Sequence, residues 1–104
     1  MTEVDLGALD EFARGAAVAK TIGDRKIVVV RIDDSVYVLD DRCSHEEFPL
    51  SLGEVDCDDR SIECERHGAI FNLENGEPLS FPATRPVPTY RAEIRDQRVV
   101  VHIA

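Results

Sequence analysis

Two short segments of this chain each hold one cysteine and one histidine, and together they limit what the chain can fold into. The first is Cys43-Ser44-His45, and the second is Cys64-Glu65-Arg66-His67, followed directly by Gly68. Eighteen residues separate the two segments. Two thiolates and two imidazoles are a ligand set that suits only a few metal centres. The fold is therefore expected to bring two distant loops together around one metal site.

Two kinds of metal centre fit this ligand set: a zinc ion held by two Cys and two His, and a [2Fe–2S] cluster. Zinc fingers usually pair cysteine with cysteine and histidine with histidine along the chain. Here each segment supplies one of each, as expected if two similar loops each reach both irons of a dinuclear cluster. The ligand order favours the iron–sulfur cluster. A zinc-stabilised β module that only binds a partner is the alternative.

The sequence on either side of these segments has the character of β-strands. A short helical turn is predicted at 9–14, and apolar, β-branched runs separated by polar turns predict strands at 16–22, 26–32, 36–39, 87–95 and 98–103. In the last strand Val99, Val101 and Ile103 share one face, which leaves His102 on the opposite, polar face. We therefore expect His102 to be solvated.

The region between these hairpins, residues 40–85, has a different composition. It holds all three cysteines and two of the three histidines. Its pattern predicts loops with short strands at 61–64 and 69–72. We predict a single domain, residues 1–104, of the all-β class: an antiparallel β framework with an inserted loop-rich subdomain at about 40–85 that binds the metal.

With these residues in view, the chain resembles the Rieske family over nearly its whole length. The resemblance rests on the pattern C-x-H followed by C-x-x-H-G within a β framework, and it implies the Rieske fold with one [2Fe–2S] cluster per chain. It also implies that Cys43 and Cys64 bind the buried iron, while His45 and His67 bind the outer iron. The exposed histidine edges would be the route for electrons, and the protein would be an electron carrier rather than an enzyme.

Residues beside the motif indicate the branch of the family. Respiratory Rieske proteins have an extra disulfide at the positions that here hold Phe48 and Arg66, and hydroxyl groups where this chain has Ala69 and Phe71. Fewer hydrogen bonds to the cluster make its reduction less favourable. Acidic residues next to the ligands act in the same direction; these are Glu46, Glu47 and Glu65. We expect a reduction potential near or below about −100 mV.

The low-potential branch resembles the ferredoxin components of bacterial ring-hydroxylating dioxygenase systems. This resemblance implies a flavoprotein reductase as electron donor and a non-haem iron oxygenase, or a similar redox enzyme, as acceptor. The run from Leu79 to Pro88 also resembles Rieske ferredoxins associated with iron–sulfur cluster assembly. That alternative changes the partner and leaves the electron-transfer chemistry unchanged.

Charge and hydropathy indicate which partners and which cellular location are expected. The formal net charge of −9 argues against nucleic acid as a partner, because its phosphates would be repelled. We expect no signal peptide, because no basic region followed by an apolar stretch is seen near the first residues, and the longest apolar runs, such as Ile27 to Val30, are too short to cross a bilayer. We therefore expect a monomer in the cytoplasm, away from the membrane, where thiols stay reduced.

Several charged or reactive residues fall outside the motif. Cys57 lies in the acidic turn Asp56-Cys57-Asp58-Asp59, where a surface thiol is a better interpretation than a fifth ligand. An acidic docking face is one interpretation of Glu63, Glu65 and residues 58–59, and a simply solvated edge is the other.

Overall fold

The computed structural model describes residues 2–42, 49–64, 68–79 and 85–103. Within these ranges nine strands form two antiparallel sheets, as the predicted all-β class requires. The strands are β1 Thr2–Ala8, β2 Ala17–Ile22, β3 Arg25–Ile32, β4 Ser35–Asp40, β5 Glu54–Asp56, β6 Ser61–Glu63, β7 Ile70–Asn72, β8 Thr89–Arg95 and β9 Arg98–Ile103. Two short 3-10 helices accompany them, at Leu9–Glu11 and Leu50–Leu52.

Six strands form the larger sheet, in the order β1-β9-β8-β4-β3-β2, and we call it the framework. Its hairpins lie where the turn residues predict them, at 23–24, 33–34 and 96–97. Asp96 and Gln97 both have a positive φ, 52° and 64°. Two consecutive residues of this kind match the right-handed twist of the flanking strands in a tight hairpin.

Strand β1 was not predicted from the sequence, which indicated only a helical turn near its end. It pairs with β9 at the opposite end of the chain, and the register shifts between Asp5 and Gly7. Asp and Gly are poor strand formers, so the local pattern hides a strand that a distant partner stabilises. Ion pairs at 2.6 Å, Arg95 with Glu3 and Arg98 with Asp5, join this strand to the β8–β9 hairpin.

Strand β3 is buried on both of its faces and takes part in two hydrophobic cores. Ile27 and Val29 belong to what we call the framework core, with Leu6, Leu9, Phe12, Val38, Val99 and Val101. Val28, Val30 and Ile32 belong to the second core, with Leu39, Leu50, Ile62, Cys64, Ala69, Phe71, Leu73 and Val87. A strand covered on both faces needs a continuous apolar run, which explains Ile27 to Val30.

The second sheet has the order β5-β6-β7 and packs on that second core. We call its described residues, 49–64 and 68–79, the insert, and the core beneath it the insert core. In register across the sheet, Val55 pairs with Ile62 and Ile62 with Phe71, all on the inner face. Strands β6 and β7 confirm the predicted short strands. The sequence did not indicate β5, because three residues with two carboxylates carry no strand pattern.

Two residues lie differently from the sequence prediction. The side chain of His102 is only 11% exposed, with Nε2 3.3 Å from Oε1 of Glu93. The expectation of a solvated histidine is wrong, because β9 lies between β1 and β8 and is shielded from both sides. Cys57 is a free cysteine, as predicted, but its side chain is partly buried against the insert core. Beside it, the Asp56 carboxylate accepts the N–H groups of residues 58 and 59.

In the ranges that the structure describes, no helix is long and apolar enough to cross a membrane.

Candidate metal centre

One of the four predicted ligands, Cys64, lies within the described residues. The other three, Cys43, His45 and His67, lie outside them, as do the predicted neighbours Glu46, Glu47, Phe48, Glu65 and Arg66. In the described part of the chain, no group of three or more His, Cys, Asp or Glu side chains is placed to hold a metal ion. The site is therefore described from Cys64 and from the residues at the bases of the two loops.

Cys64 lies directly after β6 in a tight turn, and the residue is 1% exposed. Its N–H donates to the carbonyl oxygen of Ala69 at 2.7 Å, and its own carbonyl accepts the N–H of Gly68 at 3.0 Å. Gly68 has φ +72°, in the left-handed region that disfavours side chains. This backbone conformation lets the chain turn tightly after the second ligand segment.

The residues that follow this turn make a dry, apolar environment. Ala69 and Phe71 are both fully buried, and neither side chain carries a hydroxyl group. These are the two positions at which the sequence comparison with respiratory Rieske proteins expected missing hydrogen-bond donors. Their burial in the insert core means that they exclude water and offer no side-chain donor.

The base of the first loop is held together by a carboxylate. The N–H of Ser51 donates to Oδ1 of Asp41 at 2.7 Å, and the Ser51 hydroxyl donates to Oδ2 at 2.8 Å. Leu50, between the loop and this serine, is fully buried. Sequence reasoning did not identify Asp41 or Ser51, since nothing in a ten-residue separation indicates a contact.

The outer face of the insert is acidic. Its groove, about 700 Å³ in volume, is lined by four carboxylate side chains, Glu54, Asp56, Asp59 and Glu63, beside the apolar Ile70 and Leu79. Leu79 is 53% exposed. Near the Cys64 turn, Oε2 of Glu63 lies 3.3 Å from the place that a Cβ on Gly68 would occupy. Two residues of the predicted acidic face, Asp59 and Glu63, thus share one groove.

The described residues fit an iron–sulfur cluster on chemical grounds. A cluster of this kind is held by thiolates, and its potential depends on hydrogen bonding and exposure to solvent. Cys64 provides a sulfur shielded from bulk water at the end of a strand. The turn to Gly68 supplies backbone groups close to it. A buried thiol within a tight, glycine-containing turn is what a thiolate ligand requires.

Comparison with known proteins gives the class. The model of the Rieske [2Fe-2S] domain family matches residues 2–91, and this chain belongs to that family. It is accordingly a Rieske-type ferredoxin, an electron carrier rather than an enzyme, with a [2Fe–2S] cluster as its cofactor. The predicted fold, cofactor and electron-carrier function are confirmed, which favours the cluster over the zinc alternative.

Individual relatives agree with this assignment. The chain is 37% identical over 98 residues to the anthranilate 1,2-dioxygenase ferredoxin subunit of Burkholderia cepacia, covering 94% of this chain and 89% of the relative. It is 30% identical over 104 residues to the 3-phenylpropionate/cinnamic acid dioxygenase ferredoxin subunit of Photorhabdus laumondii, covering 100% and 97%.

Among solved structures, the ferredoxin of carbazole 1,9a-dioxygenase from Nocardioides aromaticivorans IC177 superimposes with a TM-score of 0.96. The two chains are 30% identical, and the match covers all of both. A similar ferredoxin occurs in a complex of reduced oxygenase and oxidized ferredoxin in carbazole 1,9a-dioxygenase, with a TM-score of 0.86 and 31% identity. That match covers 95% of this chain and 91% of the other.

Proposed function

We propose that this ferredoxin accepts single electrons from a flavoprotein reductase and passes them to a terminal oxygenase that hydroxylates aromatic rings. The observation that carries the proposal is the similar ferredoxin in complex with the oxygenase of carbazole 1,9a-dioxygenase. The relatives named as ferredoxin subunits of dioxygenases support the same assignment. The chain would act as a single domain over residues 1–104, as a monomer in the cytoplasm.

The proposed ligands are Cys43, His45, Cys64 and His67. When bound, the cluster supplies a one-electron couple. Support for the assignment comes from the motif and from Cys64, whose place in the insert core keeps the thiol away from bulk water. Gly68, which directly follows His67 in the sequence, donates its N–H to the carbonyl of Cys64.

A low reduction potential is part of the proposal. Ala69 and Phe71 are buried and donate no side-chain hydrogen bond, so a reduced, more negative cluster gains no stabilisation from them. The carboxylate of Glu63 lies beside the Cys64–Gly68 turn and opposes the addition of negative charge. Both features favour a potential near or below about −100 mV, at the lower end of the range for Rieske centres.

The proposal is tested by voltammetry and by rapid mixing. The reduced protein is mixed with an aromatic-ring dioxygenase of the source organism, and in parallel with an iron–sulfur assembly scaffold. We expect a potential at or below about −100 mV, and reoxidation by the oxygenase with a rate constant of at least about 10⁵ M⁻¹s⁻¹. A clearly positive potential, or reoxidation by the assembly scaffold alone, would overturn the proposal.

A further inference from the structure

The two loop bases are closed in different ways. The second loop is closed by main-chain hydrogen bonds between Cys64, Gly68 and Ala69. The first loop begins after β4 and returns at Pro49, and the contact that joins its two ends is made by a side chain, the carboxylate of Asp41. Any change in that side chain therefore acts on one loop and leaves the closure of the other intact.

Asp41 is hydrogen-bonded on both sides of the first loop, through its main chain on one side and through its carboxylate on the other. Its own N–H donates to the carbonyl of Lys26 at 3.1 Å, which ties it to the framework beyond the last pair of β3 with β4. On the other side it accepts both the N–H and the hydroxyl of Ser51, within a partly buried contact. Hydrogen bonds to a charged group are stronger than those between neutral groups.

The neighbouring residue, Asp40, makes a contact in another direction. Its N–H donates to the carbonyl of Pro88 at 2.9 Å, and its carboxylate accepts the hydroxyl of Tyr90 in β8. Successive side chains of a strand point to opposite faces, so two adjacent aspartates reach two different parts of the molecule. Asp40 joins β4 to β8 within the framework, whereas the carboxylate of Asp41 joins the end of β4 to the insert.

Beyond Ser51 the returning chain is held rigidly. Leu50 is fully buried in the insert core, and the N–H of Gly53 donates to the Leu50 carbonyl at 2.9 Å. A fixed anchor at Leu50 and the Asp41 carboxylate therefore hold residues 41 and 51 together. Closing a loop costs conformational entropy, and a contact that keeps the ends together reduces that cost for every group inside the loop.

We propose that Asp41 is a positioning residue for the metal centre: its two hydrogen bonds to Ser51 hold the first ligand loop closed and so keep Cys43 and His45 in place. This inference rests on the proposed ligand set. Asp41 touches Ser51 and acts on the ligands through the loop. In the second loop, a main-chain hydrogen bond between Gly68 and Cys64 joins the two ends. In the first loop, the Asp41 side chain serves the same purpose.

The test compares Asp41→Ala, Asp41→Asn and Ser51→Ala with the wild-type protein. Loss of the cluster to an anaerobic iron(II) chelator is followed by visible absorbance, and the geometry of the centre by visible circular dichroism. We expect Asp41→Ala to lose the cluster about tenfold faster and Ser51→Ala about threefold faster, since Ser51→Ala keeps the main-chain donor. Asp41→Asn, which retains an acceptor oxygen, is expected to stay near the wild-type rate and spectrum.

A matched control and a double variant separate positioning from general destabilisation. Asp56→Ala also removes a carboxylate that accepts two main-chain N–H groups, at the end of the small sheet away from Cys64, and should leave the spectrum and rate unchanged. The double variant Asp41→Ala/Ser51→Ala should lose the cluster no faster than Asp41→Ala, because the two residues form one contact.

The inference is overturned if Asp41→Ala keeps the wild-type rate and spectrum, if Asp56→Ala has the same effect, or if the two single effects add. If Asp41→Ala fails to fold, the test rests on Ser51→Ala alone. Faster loss of its cluster would support the inference, and an unchanged rate of loss would overturn it. Cys43→Ser separates this outcome from a failure of the ligand set: a variant that keeps an unaltered cluster would show that Cys43 is no ligand, whatever Asp41 does.

Discussion

The framework and the insert differ in the balance between their acidic and basic residues. The described framework residues, 2–42 and 85–103, contain eleven acidic and ten basic residues, whereas the insert contains seven acidic residues and one basic residue. Framework charges pair with one another, as in Arg14 with Asp33 at 2.8 Å. The insert directs four of its seven carboxylates into an open groove. Most of the net negative charge of the protein thus lies on the part that carries Cys64.

The two parts of the molecule therefore contribute differently to its stability and to its metal centre. The framework nearly balances its own charges, and its strand β3 contributes Val28, Val30 and Ile32 to the insert core. The insert holds the ligand turn and an unbalanced surface charge, which speeds encounter with a partner of opposite charge. Damage to the insert should therefore affect the metal centre first, whereas damage to framework ion pairs should affect stability slightly and the metal centre not at all.

The largest expected effect comes from Gly53→Ala in the insert. An added Cβ would lie 1.8 Å from the main-chain carbonyl oxygen of Glu63, which cannot rotate away. We expect a loss of about 3 kcal/mol in unfolding free energy, measured by urea denaturation, with reduced cluster content in the purified protein. In the framework control Gly23→Ala, nothing lies within 4 Å of the new methyl group, and only the positive φ of +62° opposes it, so we expect a smaller loss of about 1 kcal/mol. Equal losses of unfolding free energy in the two variants would contradict the expected difference between insert and framework.

An intermediate effect is expected from Ala69→Ser, which places a hydroxyl beside the Cys64 turn. If it donates to the cluster, one hydrogen bond of ~1 kcal/mol corresponds to roughly 40 mV for one electron, so the potential should rise by that amount. Protein-film voltammetry measures the change. Ala92→Ser, which adds the same hydroxyl next to the framework core, should leave the potential as it was. A rise in the control alone would contradict the assignment of the site to the insert.

The smallest effect is expected from Arg98→Gln in the framework. A hydrogen bond from Arg98, then one from the N–H of Gly7, lowers the pKa of Asp5 below its ordinary value of 3.8. A lowered folded-state pKa stabilises the fold above that ordinary value, and this stabilisation is lost as the pH falls through the lowered one. The pair is exposed, so the variant should be only slightly less stable at pH 7.

Urea denaturation at pH 7 and at a pH well below 3.8 checks this sign. The difference between Arg98→Gln and wild type should disappear at the lower pH and shrink in high salt. An unchanged visible spectrum of Arg98→Gln at pH 7 would show that this framework ion pair does not affect the metal centre, unlike the residues of the insert. A difference that persisted in acid would show that Arg98 acts through packing instead.

The parts of this structure that the sequence predicted correctly depend on local chemistry. The hairpin turns and the β2–β3 and β8–β9 pairs each follow from residues close together in the chain. Strand β1 could not be predicted in this way, because its partner is β9, nearly a hundred residues later. The burial of His102 has the same cause, since β1 covers one side of β9.

For the site, the ligand motif was visible because its four residues form a spaced pattern of rare types. The contact between Asp41 and Ser51 was not visible, because Asp and Ser are common at the ends of loops and only the folded chain brings this pair together. Cys57 illustrates the reverse error: an acidic neighbourhood suggested a surface position, whereas the side chain is partly buried against the insert core.

The double coverage of β3 has a consequence for protein engineering. Alternate residues of this strand belong to different cores, so the metal-binding part cannot be cut out at its sequence boundaries and grafted onto another scaffold. A transplant would have to include Val28, Val30 and Ile32, which precede the first proposed ligand, Cys43, by more than ten positions. In a recipient sheet, every second side chain of the accepting strand would need to be redesigned before the graft could be held in place.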